Sequence, residues 1–214
     1  MLVSVPFITK VFQFVISTTQ KYGIDESHGL LHSMNTLYYA NAIFEDEVKY
    51  KPNIQSYERI IYVSAAVHDM CDKKYMNQDE GLLEIGRFLD GKMTNKELDV
   101  TKQIISTMSY STVKKNGFPD LREYQSAYHI VREADLLTAY DFERCMIYKM
   151  MKEHDAVNIK DAYVDAKKLF MNRVLQYEDD GLFFTNYAKK ESTRLHNDAL
   201  CHILRWKKIV DCDI

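Results

Sequence analysis

Four side chains carry the chemistry that this sequence offers: His32, His68, Asp69 and Asp135. His68 and Asp69 are adjacent and end the run IIYVSAAVHDMCDKKY, which is apolar almost to that point. An ionised carboxylate in an apolar setting is costly unless something neutralises it. A divalent metal is one such partner. Two imidazoles and two carboxylates suit Mn²⁺, Fe²⁺, Co²⁺, Ni²⁺ or Zn²⁺ better than Mg²⁺ or Ca²⁺ alone, with Mg²⁺ kept as a candidate. They leave open positions on a six-coordinate metal, where a bound water becomes a hydroxide nucleophile near neutral pH. The metal can also polarise a phosphoryl oxygen. All of this depends on whether the four residues converge.

The elements that must bring them together are helical. Gly and Pro are scarce, which favours helices over strands and turns. Punctuation and periodicity predict helices over roughly residues 5–21, 28–48, 54–71, 79–90, 94–109, 121–152 (one helix or two in tandem), 161–177 and 185–209. Ser27 is the expected cap of the second helix, and Thr94 with Glu97 forms a capping box. Residues 114–120 read as a loop and 178–181 as a turn. The helix leading to His68 is apolar nearly all round, which predicts the centre of a bundle. In that helix His68 and Asp69 differ by about 100°, so both can touch one metal or a neighbouring pair. Asp135 shares its face with Val131, Thr138 and Ala139 and is expected to point inward. The expected fold is all-α: one helical domain over residues 1–214, with its motif-bearing core at about 22–150 and C-terminal helices 158–211 packed on it.

Composition bounds the partners. The formal charge is −3, which provides no broad basic face and disfavours nucleic acid. The apolar N-terminus is interrupted by Lys10 and Gln13, so it reads as an amphipathic or buried helix and not as a signal peptide or span. No membrane partner is expected. Cys71, Cys145, Cys201 and Cys212 form no CxxC pair, and a reducing, cytoplasmic setting is the expectation.

The ordered motifs resemble the HD-domain family of metal-dependent phosphohydrolases, in its small bacterial-type form. DESHGLLHSMNTLYYA is similar to that family's first motif, AAVHDMCDKKY to its HD-x-x-D-x-K-Y segment, IISTMSYS to its I-I-x-x-I-S-[FY]-S stretch, and VREADLLTAYD to its A-D-x-L-D-A stretch. A later block, from KLFMNRVLQ to KESTRL, resembles the family's C-terminal helices. The likeness covers roughly residues 22–200. It implies His32, His68, Asp69 and Asp135 as metal ligands, and hydrolysis of a phosphate ester or anhydride, often on a nucleotide. Lys73 or Lys74 near the metal can hold substrate phosphate. Asp72, beyond Asp69, can orient water or anchor a ligand histidine. Asp69 and Asp72 are therefore the expected catalytic residues. Lys73, Lys74, Ser109 and His28 are the expected substrate contacts.

The chain departs from the family pattern at Gly29, Asn35 and Leu136. The last two replace arginines, which motivates an alternative: a catalytically impaired module that kept the metal ligands. Oxygenase chemistry ranks low, because no His follows closely after Asp69.

Other candidates have plainer readings. His28 and His32 have metal-edge spacing, but His28 also suits the first turn of a helix. Lys73 and Lys74 suit a solvated helix end. Ser109 and Tyr110 can line a pocket or be satisfied by backbone. Arg132 and Glu133 read as a solvated pair, Glu45-Asp46-Glu47 as a solvated helix end, and Tyr38-Tyr39 and Phe183-Phe184 as core. His129, His154, His196 and His202 lack matching partners, and His202 reads as a core histidine on a stripe with Leu195, Ala199 and Trp206.

Overall fold

The computed structural model describes residues 3–152 and 158–211. His154 and Cys212 lie outside them. The described residues form ten α-helices and no strand: α1 Val5–Tyr22, α2 Leu30–Glu47, α3 Glu58–Val67, α4 Gln78–Leu89, α5 Asn95–Thr107, α6 Tyr110–Asn116, α7 Gln125–Thr138, α8 Phe142–Lys152, α9 Ile159–Asn172 and α10 Asn186–Val210.

The centre is α3, where Ile60 through Val67 are all buried. It packs against α1, α2, α5 and α7, and α2 and α7 also face each other. At ten residues α3 is too short to persist alone. Burying each large apolar side chain contributes about 1.5–3 kcal/mol, so packing and not propensity holds it. Helix α10 crosses α2, α7, α8 and α9, so the C-terminal helices close over the same core. The capping box at Thr94 and Glu97 forms as the spacing predicts.

Several boundaries differ from the sequence reading. The third helix is three pieces: a 3₁₀ turn Pro52–Tyr57, α3, and a 3₁₀ turn His68–Cys71. His68 and Asp69 thus sit on the tighter turn, not on α-helix. The stretch 121–152 divides into α7 and α8. Helix α6 takes residues that read as loop, because Ser109 caps it by accepting from Thr112 N. Ser27 does not cap α2. The cap position is Gly29, with no side-chain bond, and the Ser27 hydroxyl instead joins Asp25 and His28.

Arg132 and Glu133 are not solvated; both are buried. Glu133 accepts from Thr185 Oγ1 at 2.7 Å and from the backbone N–H groups of Phe184 and Thr185. Arg132 donates to the Leu182 carbonyl and lies over the Phe118 ring. The pair ties the segment before α10 to α7, a role invisible until residues fifty apart are neighbours. Glu47 is likewise buried, with Lys51 on its carboxylate at 2.9 Å. Tyr38 and Phe184 are exposed while Phe183 is buried, so neither aromatic pair is wholly core.

Candidate metal centre

His32 comes from the first turn of α2, His68 and Asp69 from the 3₁₀ turn after α3, and Asp135 from the last turn of α7. Because α2 and α7 flank α3, the four side chains meet at one end of the central helix. His32 Nε2 and His68 Nε2 are 3.0 Å apart. Asp69 Oδ2 is 3.1 Å from His32 Nε2 and 3.4 Å from His68 Nε2. Asp135 Oδ1 is 3.4 Å from both nitrogens. Ligand atoms of His32, His68 and Asp135 all lie within 4.8 Å of one another and could hold a metal ion.

The outer atoms set the tautomers. His68 Nδ1 lies 2.9 Å from the Ala65 carbonyl, which can only accept, so Nδ1 carries the proton and Nε2 faces the cluster. The Thr138 hydroxyl donates to the Asp135 carbonyl at 2.7 Å, which leaves its oxygen to accept from His32 Nδ1 at 3.3 Å. His68 therefore presents an Nε2 lone pair inward when neutral. His32 Nδ1 faces both the Thr138 hydroxyl and the Arg144 guanidinium, which can only donate, so His32 offers Nε2 as a lone pair only with the proton on Nδ1, directed at Thr138.

A metal fits this donor set. Asp69 Oδ2 is buried and receives no hydrogen bond, despite the two imidazoles beside it. Donors roughly 3 Å apart match the cis spacing that bonds of about 2.1 Å produce in an octahedral site. Without a metal, burial disfavours charge on His68, but the carboxylates of Asp69 and then Asp135 outweigh it and hold the imidazole up at about 9. For Asp69 and Asp135 burial is likewise outweighed, by His68 and His32, and both carboxyls fall well below the usual range. The cluster is a set of opposed charges compressed into one buried spot.

Beside it lies a cavity of about 300 Å³ whose wall includes His68, Asp69, Asp72, Lys73, Lys74 and Ser109. Asp72 does not anchor a ligand histidine, because the Ala65 carbonyl and the Thr138 hydroxyl already hold those rings. Asp72 Oδ1 instead accepts from Lys74 N at 2.9 Å, and Oδ2 pairs with Lys74 Nζ at 3.3 Å. Lys73 is exposed at the cavity wall. Ser109 both caps α6 and lines the cavity, so its two readings coexist.

His28 precedes α2 and is not among the converging donors. Its Nδ1 faces the Ser27 hydroxyl at 2.6 Å and its Nε2 accepts from Lys74 Nζ at 2.9 Å. Burial pulls its imidazole down to about 4; Asp69 opposes this, and Lys74 and Arg144 add to it. His202 is not a core histidine. It is half exposed, holds Glu143 Oε1 at 2.7 Å, and lines a second cavity with His32 and Asn35. His129 stacks near Phe184, and His196 lies near Tyr140.

Sequence reading missed two arginines. Arg144 of α8 lies against His32 Nδ1 and is 3.5 Å from the Thr138 hydroxyl. Arg173, after α9, lines the same cavity as Asp69 and Asp135. Asn35 lines the cavity on the other side of His32, and Leu136 is buried in the core. Two guanidinium groups thus reach the surroundings of the cluster from α8 and from the segment after α9. Neither carried a local signal, since polar or charged residues such as Glu143 and Asn172 stand beside them.

No family model matches the chain, and no curated protein matches it. Solved structures do share its fold. YpgQ of Bacillus subtilis, determined in complex with ADP, superimposes with a TM-score of 0.64 at 20% identity, over 95% of this chain and 98% of YpgQ. A protein of Lactobacillus plantarum superimposes with a TM-score of 0.71 at 16% identity, over 99% of this chain and 100% of its own. The fold is all-α in the plain sense, and no described helix is long and apolar enough to cross a membrane.

Proposed function

We propose that the protein is a metal-dependent phosphohydrolase of the HD-domain type, acting on a small phosphorylated molecule and most readily a nucleotide. The observation that carries this reading is the convergence of His32 Nε2, His68 Nε2, Asp69 Oδ2 and Asp135 Oδ1 beside a cavity walled by lysines and hydroxyls. That YpgQ, which shares the fold, binds ADP supports the choice of a nucleotide.

A divalent metal in this cluster would polarise the phosphoryl oxygen and lower the pKa of a water. His32, His68, Asp69 and Asp135 would hold it. Lys73, Lys74 and Ser109 hold the substrate's phosphate oxygens from the cavity wall. Asp69 would accept a hydrogen bond from the attacking water and orient it as its oxygen bonds to phosphorus and the bond to the leaving group breaks. Asp72 fixes the Lys74 ammonium in place. Asp135 keeps 26% of its side chain exposed, which leaves the cluster open to substrate from that side.

The test is phosphate release from a panel of nucleoside mono- and triphosphates with added Mn²⁺, Ni²⁺ or Mg²⁺. Release by the intact protein, falling at least about a hundredfold in Asp69→Ala, is the expected result. Tight metal binding with no release under any condition would leave the impaired metal-binding module as the reading.

A further inference from the structure

A third cavity, of about 220 Å³, adjoins the metal cluster, and His28, Lys74, Arg144 and Arg173 line it together with Ser27 and Tyr148. No carboxylate lines it among the described residues. That space is enough for a phosphate and bridging solvent.

The two guanidinium groups are held in place without being neutralised. Arg173 donates from Nε to the Tyr177 hydroxyl at 3.1 Å and stacks 4.3 Å above the Tyr110 ring. Its terminal nitrogens make no hydrogen bond among the described residues, so the fork that recognises oxyanions is oriented and free. The Arg144 guanidinium meets His32 Nδ1 and the Thr138 hydroxyl, and no carboxylate among the described residues. When His32 gives Nε2 to a metal, Nδ1 keeps its proton and cannot accept from Arg144. The guanidinium then needs another acceptor. Among the described residues, Lys74 is the one of these cations with an acidic partner, Asp72.

Two partly buried guanidinium groups lining one space repel each other unless an anion joins them. Lys74 and Arg173 also line the cavity that holds Asp69 and Asp135, so the same two side chains face both spaces. We infer that this cavity is an anion subsite, with Arg144 and Arg173 as its clamp, for a second phosphoryl group beside the one at the metal. Where it concerns turnover, the inference rests on the phosphohydrolase reading, and it directs the chain to substrates with two or more linked phosphates over monoesters.

The test is calorimetric titration of the protein as purified, and again after chelator treatment, with methylenediphosphonate and with methylphosphonate. Neither probe is hydrolysed. The diphosphonate should bind at least about tenfold more tightly. Arg144→Met and Arg173→Met should each weaken it about tenfold while leaving methylphosphonate binding within about twofold. Arg144→Lys and Arg173→Lys, which keep the charge and lose the fork, should fall between. Circular-dichroism melts check folding, and the lysine variants carry the test if a methionine variant does not fold. Diphosphonate binding that is unchanged in the arginine variants, or no preference for the diphosphonate, overturns the subsite. Arginine-dependent binding without phosphate release from any nucleotide keeps the subsite and removes the hydrolase reading. Phosphate release with arginine-independent binding does the reverse.

Discussion

Thr138 shows how a residue without metal-binding chemistry can govern a metal site. Its proton goes to the Asp135 carbonyl, and its oxygen is left facing His32 Nδ1. Thr138→Val should therefore weaken Mn²⁺ or Zn²⁺ binding about tenfold or more, by leaving the imidazole's tautomer and orientation unset. Thr138→Ser should restore most of it. Competition titration against a chromophoric chelator measures both. The four donors were legible in the sequence because His and Asp are unusual in apolar helical surroundings. Thr138 was legible only as a face neighbour of Asp135, since hydroxyls are common on buried helix faces. Arg144 and Arg173 were not legible as site residues, because nothing local to either residue refers to the cluster.

At the scale of elements, the tight turn His68–Cys71 depends on close approach by α4. A Cβ on Gly81 would sit 2.7 Å from the Cys71 Cα, which is backbone and cannot swing aside. Gly81→Ala should cost about 1–3 kcal/mol and weaken metal binding by displacing the turn. A denaturant midpoint and a metal titration on the same variant test both effects. The Arg132–Glu133 pair works from the middle of α7. Glu133→Ala would strand a buried guanidinium and three donors, so a loss of about 3–5 kcal/mol is expected in chemical denaturation. The sequence placed most helices correctly, since long amphipathic periods and caps are local. It misplaced the ends: the choice of Gly29 over Ser27, and of a 3₁₀ turn at His68, belongs to the network those residues join.

For the whole molecule, pH links the metal centre to stability. In the metal-free protein the His68 imidazole titrates at about 9, against an ordinary 6.5. A folded value above the unfolded one means the stabilisation is complete below pH 6.5 and is lost as pH rises through about 9. The metal-free melting temperature should accordingly fall over that interval. A metal takes the site from the proton, so its affinity should rise about tenfold per pH unit up to about pH 9 if one proton is displaced. Melts at several pH values, with and without metal, check the first. Titrations in buffers of different ionisation heat count the released proton.

The sequence by itself determined that the chain is helical, that α3 is central, and that four candidate donors fall on three separate helices. Those properties follow from hydrophobic period, scarcity of breakers and residue type, which are local. Only the tertiary structure decided that the four donors converge, that Ala65 and Thr138 orient the imidazoles, and that Arg144 and Arg173 line a cavity beside them. Convergence depends on which helices cross and at what height, and that is set by packing between residues a hundred positions apart.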